Sequence, residues 1–208
     1  MRSLLKLPAM YEGFQARLGF AQARKKAFDR HLSLPPKPRV LDIGCGPGNI
    51  IQYLPDDMDY HGFDLEPAYI ESAQKRFAGR HTFHCREFDL AAAEEFGPAD
   101  VVMFNGVLHH MDDAIALSVL QAAKKAIGDT GLVFTLDGCY KKGQSPLAKV
   151  LLDLDRGEYV RDEKSYEAIM RSVYDNVEVH VHEDLSPIPY TFAIMVGRTN
   201  TAAANQQP

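Results

Sequence analysis

The residues best suited to chemistry in this 208-residue chain fall in one stretch, Val40-Leu41-Asp42-Ile43-Gly44-Cys45-Gly46-Pro47-Gly48-Asn49. A short apolar strand there runs into a glycine-rich turn. Glycine lets the backbone take positive φ and lets a ligand approach closely. Pro47 suits the first turn of a following helix, whose open N–H groups would favour an anion or carboxylate. Asp42 sits at the strand end, just before the first glycine. A carboxylate in that place repels a pyrophosphate and attracts a cationic amino group. Asp64 follows Gly44 by 20 residues, the spacing at which an acid holds ribose hydroxyls. Dinucleotide dehydrogenases share that spacing, so it does not separate the two classes. The glycine pattern does separate them. It reads G-x-G-x-G, and Asn49 stands where a dinucleotide site has its third glycine.

A second group follows the apolar run Val101–Phe104. His109 and His110 are neighbours, and neighbouring residues do not share a face. One of them is expected to face a pocket, and the sequence leaves open which. The imidazole there is a candidate general base, or it caps a turn. The stretch from Asp137 to Arg161 offers Tyr140 as a phenol, Asp155 as an acid, and Arg156 and Arg161 as planar forks for a carboxylate or phosphate. Each also reads as an ordinary surface or capping residue. His180 and His182 share one strand face, but no acidic or cysteine partner has matching spacing, so no metal site is expected.

In these motifs the sequence resembles the class I S-adenosylmethionine (SAM)-dependent methyltransferase family, in its small-molecule branch. The resemblance is best over residues 38–137. It implies that Gly44, Cys45 and Gly46 wrap the cofactor while Asp42 receives its amino group. Gly62-Phe63-Asp64-Leu65 is similar to the family's second motif, which puts Asp64 on both ribose hydroxyls, with Leu65 next to it. Glu87-Phe88-Asp89-Leu90 is similar to the third, with Asp89 and the Leu90 backbone reading the adenine. Asn105-Gly106-Val107-Leu108-His109-His110-Met111-Asp112-Asp113 resembles the segment after strand four, where the Asn105 carbonyl helps hold the amino group. Tyr11 and Phe14 then become a lid over the cofactor, or simply pack their helix onto the sheet. His109, His110 and Tyr140 become the candidate catalytic side chains.

The implied reaction is methyl transfer from SAM to an oxygen or nitrogen of a small-molecule acceptor. Methyl transfer needs mainly a positioned acceptor and excluded water, and a base only for a hydroxyl or protonated amine. Three other readings stay open: an RNA methyltransferase using a basic N-terminal segment, a nicotinamide dehydrogenase, and a SAM-binding module without catalysis.

These residues need a frame to hold them. From Arg39 onward, short apolar runs alternate with helical stretches. The runs are Val40–Ile43, Tyr60–Phe63, His81–Cys85, Val101–Phe104, Leu132–Leu136, Val177–Val181 and Phe192–Val196. Helices are expected at about 48–54, 68–77, 112–126 and 163–173. The alternation predicts a Rossmann-like α/β fold with a seven-stranded, mainly parallel sheet and helices on both faces. The last two runs are joined by a link containing Pro187 and Pro189, too short for a crossover helix. They read as an antiparallel hairpin at one edge. Residues 1–38 read as an N-terminal helical cap and linker, 39–198 as the SAM-binding domain, and 199–208 as a flexible tail.

Composition bounds the partners. Hydrophobic residues are 46% and charged residues 25%, ordinary for a globular domain. A net charge of −5 argues against nucleic acid. Residues 1–30 are a local exception, with seven Lys or Arg against two Asp or Glu. They read as a solvated helix face or as a docking surface for an anionic acceptor. Three cysteines without metal or redox spacing point to a reducing cytoplasm. No run has the length of a membrane span. Oligomeric state is not legible.

Overall fold

The computed structural model describes residues 19–155 and 157–199. Tyr11, Phe14, Arg156 and the tail beyond Thr199 lie outside the described residues. In chain order the elements are α1 (Phe20–His31), β1 (Arg39–Ile43), β2 (Asp59–Asp64), α2 (Pro67–Arg76), β3 (Thr82–Cys85), α3 (Leu90–Phe96), β4 (Val101–Asn105), α4 (Asp113–Ile127), β5 (Leu132–Tyr140), α5 (Pro146–Asp153), β6 (Arg161–Asp162), α6 (Glu163–Val173), β7 (Asn176–His182) and β8 (Phe192–Arg198). Single 3-10 turns form at Ile51–Tyr53 and Leu108–His110.

The main sheet path runs β3-β2-β1-β4-β5-β8-β7. The first five strands of that path are parallel neighbours. β8 is antiparallel to both β5 and β7, so the terminal pair is the expected hairpin with its second strand inserted inward. An eighth strand, the two-residue β6, pairs with the end of β5. It is too short to have a periodicity of its own.

Side chains alternate between two cores with period two. Val101 and Met103 of β4 join a core closed by α1 and α2, through Phe28 and Ile70. Val102 and Phe104 join a core closed by α3, α4 and α6, through Ala92, Leu120 and Met170. Both faces are therefore covered, which explains why these strands read as continuous apolar runs. Helix starts are fixed by short polar caps. Asp89 accepts the Ala92 N–H at 2.8 Å, Asp112 the Ile115 N–H at 2.9 Å and Asp162 the Ser165 N–H at 2.8 Å. Each such cap is worth about 1 kcal/mol.

Two expectations need correction. The helix foreseen at 48–54 is only the 3-10 turn Ile51–Tyr53. Gly48 holds φ 76°, which ends any helical register just after Pro47. In addition, β5 runs on to Tyr140, well past Leu136. Thr135 and Asp137 interrupt the apolar pattern, yet both are buried because β5 is paired on both sides.

Candidate active site

The carboxyl ends of β1, β2 and β4 open onto a cavity of about 360 Å³, lined by Asp42, Gly44, Gly46, Asp64, Asn105 and His110 among others. That volume lies in the range of small-molecule sites. The glycine loop forms its floor. Gly44 and Gly46 hold φ 69° and 53°, a region that side chains disfavour. A Cβ on Gly44 would come 2.6 Å from Val107, whereas one on Gly46 would meet nothing within 4 Å.

The amide groups of this loop are already committed within the protein. Gly44 and Cys45 both donate to the Phe63 carbonyl, at 2.8 and 3.0 Å, and Gly48 donates to the Cys45 carbonyl. Gly46 donates to Asp64 Oδ2 at 2.9 Å. The expected row of open N–H groups for an anion is therefore corrected: these four donors are spent. Asp64 in turn is held rigidly, because Glu66 N–H donates to its other oxygen at 2.9 Å. Each carboxylate oxygen keeps a further lone pair for a ligand hydroxyl.

Asp42 is buried on the same floor. Tyr60 donates its hydroxyl to Oδ2 at 2.6 Å. Among the described residues Oδ1 has no hydrogen-bond partner, and neither do the inaccessible amide atoms of half-buried Asn105 beside it. Burial pushes the Asp42 carboxyl up to about 7, against the opposing effects of Tyr60, Asn105 and the positive charge of Arg24. Unsatisfied buried polar atoms of this kind call for a partner. A cationic amino group would supply one to Asp42.

A smaller cavity of about 30 Å³ adjoins the first and shares Arg24 and Gly106 with it. Here His109 is buried. Its Nδ1–H donates to Asp137 Oδ1 at 2.8 Å. Among the described residues its Nε2 has no hydrogen-bond partner, and it faces Asp155 Oδ1 at 3.7 Å. Tyr190 donates its hydroxyl to Asp155 Oδ2 at 2.6 Å. Burial opposes a charged imidazole, but the hydrogen bond and charge of Asp137 and the charge of Asp155 prevail, and the His109 pKa is raised.

The remaining sequence candidates are placed differently. Cys45 lines the main cavity, and its thiol is pushed up by burial. Asp89 spends one oxygen capping α3. Leu65 and Leu90, 71% and 60% exposed, stand outside the cavity lining. Tyr140 is farther off, in an open groove beside Lys141 and Lys142. Its hydroxyl donates to Asp153 at 2.7 Å, and burial together with that carboxylate pushes it up to about 12. Arg161 is not available as an anion clamp. Its guanidinium donates to the Leu108, Met111 and Tyr159 carbonyls and to Asp113. Sequence reasoning missed Arg24, Tyr60, Asp137 and Tyr190 as site residues. Only Asp137, an acid directly after an apolar strand run, had a local signal.

A glycine loop after β1, with acids at the ends of β1 and β2, thus lines a cavity at the carboxyl edge of a Rossmann-like sheet. Residues 41–133 match the family model described as a methyltransferase domain. Solved structures agree in fold. The pyocyanin biosynthetic protein PhzM is 16% identical with a TM-score of 0.69, over 94% of this chain and 60% of its own. The mitomycin 7-O-methyltransferase MmcR is 18% identical with a TM-score of 0.66, over 93% of this chain and 58% of its own. A SAM-dependent methyltransferase from Archaeoglobus fulgidus is 14% identical with a TM-score of 0.69, over 90% of this chain and 99% of its own. This chain thus spans about 60% of the length of the first two. The matched segment is somewhat under half of the chain, and at these identities the solved structures share the fold of this chain.

Proposed function

We propose that this chain is a SAM-dependent methyltransferase that methylates an oxygen or nitrogen of a small-molecule acceptor. The observation that carries this reading is the main cavity, where the carboxylate of Asp64, the Asp42 Oδ1 and the Asn105 amide, the last two without hydrogen-bond partners among the described residues, line one space beside a buried His109. A related O-methyltransferase from neocarzinostatin biosynthesis, 21% identical with a TM-score of 0.58 over 78% of this chain and 49% of its own, has been solved with SAM and a naphthoic acid.

In this reading SAM supplies a methyl group already activated on sulfonium sulfur. Asp64 binds the ribose hydroxyls, and Asp42 with the Asn105 carbonyl binds the amino group. Gly44, Cys45 and Gly46 let the nucleoside lie against the backbone. Asp89, Leu65 and Leu90 flank the adenine end. Asp137 keeps the Nδ1–H of His109 engaged, so the neutral imidazole presents its Nε2 lone pair to an acceptor proton. His110 lines the main cavity and helps shape it; Tyr140 remains a more distant candidate. Cys45, Cys85 and Cys139 are free thiols, in keeping with a reducing cytoplasm. No helix among the described residues is long and apolar enough to cross a membrane.

The test is ligand-specific stabilisation followed by turnover. SAM and S-adenosylhomocysteine should raise the thermal midpoint while NAD does not. S-adenosylhomocysteine should then be released from SAM with some hydroxylated or amino acceptors of a panel. Binding without release for every acceptor would leave a non-catalytic SAM-binding module. Stabilisation by NAD alone would overturn the reading.

A further inference from the structure

We propose that Arg24 of α1 grips the carboxylate of the cofactor's amino-acid head, opposite Asp42, which takes the ammonium. This rests on the SAM-binding reading above. It makes the N-terminal helix part of the cofactor site.

Three observations carry it. First, the glycine loop cannot serve the carboxylate with the amides of Gly44, Cys45, Gly46 or Gly48, all of which donate within the protein. A zwitterionic head whose ammonium is held by Asp42 then needs a cation elsewhere in the same cavity.

Second, Arg24 is in that cavity with Asp42. It also lines the smaller cavity at His109, so it stands where the two spaces meet. Its positive charge is felt at Asp42, where it works against the effect of burial.

Third, its place on the helix is not that of a solvated charge. The stripe of α1 turned to the sheet is Phe20, Ala23, Ala27 and Phe28, all buried. Arg24 lies four residues from both Phe20 and Phe28, on that same face. The other described basic residues of α1 serve the surface. Lys25 pairs with Asp29, Lys26 donates to the Asp184 carbonyl, and Arg30 forms a fork with Asp184. Among the described basic residues of α1, Arg24 is the one that lines both the main cavity and the cavity at His109. A planar guanidinium is also the cation best shaped for a carboxylate.

The experiment measures two ligands by calorimetry against wild type, Arg24→Gln and Arg24→Lys. S-adenosylhomocysteine carries the amino-acid head. 5′-Methylthioadenosine has the same nucleoside thioether without it. Arg24→Gln should weaken S-adenosylhomocysteine by roughly ten- to a hundredfold and leave methylthioadenosine within about twofold. Arg24→Lys should fall between, since lysine offers a charge without the fork. Unchanged methylthioadenosine binding also reports that each variant is folded.

Equal losses for both ligands would make Arg24 a packing residue and overturn the proposal. Unchanged S-adenosylhomocysteine binding would overturn it too. If turnover then fell only through the KM of the acceptor, the carboxylate on Arg24 would be the acceptor's own. Failure of wild-type protein to bind either ligand would instead sink the SAM-binding reading itself.

Discussion

His109 and Asp137 form a buried pair in which one carboxylate oxygen serves two donors of the same residue. Asp137 Oδ1 accepts the imidazole Nδ1–H at 2.8 Å and the His109 backbone N–H at 3.2 Å. The ring is thereby fixed with Nε2 toward Asp155 and the small cavity. A general base contributes about 10²–10⁴ in rate. His109→Gln should lower kcat by that order while S-adenosylhomocysteine binds within about twofold of wild type. Full turnover in His109→Gln, with loss in His110→Gln, would assign the base to the neighbour.

The pH profile follows from the raised His109 pKa. The base must be neutral to work, so activity should climb through a pKa above the usual value of about 6.5. Asp155→Asn removes one of the two carboxylates that favour the imidazolium, and the rising limb should move to lower pH. The same linkage bears on stability. A histidine whose folded pKa is raised contributes stability that is fully present below about 6.5 and lost as pH rises through the folded value. Asp137→Asn should therefore lower the thermal midpoint more at pH 6 than at pH 9. An unmoved rate profile in Asp155→Asn would show that Asp155 does not act on His109.

Asp64 offers a direct test of the proposed cofactor site. Its two oxygens bind the Gly46 and Glu66 amides and have lone pairs left for hydroxyls. A hydrogen bond to a charged group is worth about 1.5–3 kcal/mol. Asp64→Ala should weaken SAM by roughly tenfold to more than a hundredfold. Asp64→Asn keeps the side-chain shape, loses the charge and should show an intermediate loss. Unchanged dissociation constants in calorimetry would remove Asp64 from the site.

His109 and Asp155 could be read from sequence only as single candidates; the part of the site whose assembly could be read is the part carried by one continuous stretch. Asp42, the glycines and Asp64 belong to β1, its loop and β2, and their spacing is local. Arg24, His109, Asp137, Asp155 and Tyr190 come from five separate segments. They meet only because β5 lies between β4 and β8 and α1 folds back over the sheet. No sequence spacing encodes that meeting, so Arg24 read as part of a charge run and Tyr190 as part of a proline-rich link. The fold shows the same division. Strands buried on both faces, such as Val101–Asn105, declare themselves as apolar runs. α3, with seven residues, and α5, with eight, are too short for a helical period to emerge. The loop at Gly48 shows how a single positive φ overrides an otherwise helical-looking stretch.

Asp42 should make cofactor binding depend on pH. Only the ionised carboxylate attracts an ammonium, and burial holds its pKa at about 7. S-adenosylhomocysteine affinity should therefore rise between pH 6 and pH 8. Tyr60→Phe removes a hydrogen bond that favours the carboxylate, and the midpoint should move to higher pH. The ligand-free protein should respond in the opposite sense. An acid whose folded pKa is raised above its unfolded value costs stability as pH rises toward 7. Asp42→Asn should raise the thermal midpoint by roughly several degrees at pH 8, a gain that fades toward pH 4, while weakening the ligand. A pH-independent dissociation constant would rule out the ammonium contact.

Arg161 tests whether the loop over the small cavity is held by the segment that carries the histidines. Its guanidinium, about nine-tenths buried, donates to Leu108 O at 2.9 Å, Met111 O at 2.7 Å and Tyr159 O at 3.1 Å, with two contacts to Asp113. The Tyr159 N–H returns a bond to the His109 carbonyl at 2.9 Å, and a Cβ at Gly157 would collide with the His109 ring. One side chain thus ties the 3-10 turn Leu108–His110 to the chain that places Asp155. Arg161→Ala would leave several inward carbonyls without donors, each worth about 1–3 kcal/mol if water does not reach it. With partial rescue by water the total should be on the order of 3 kcal/mol, seen as a lower urea midpoint at constant slope. Arg161→Lys keeps the charge without the five-donor fork and should recover less than half of that loss. If Arg161 bound an anionic acceptor instead, Arg161→Ala would raise the acceptor KM and leave the urea midpoint where it was.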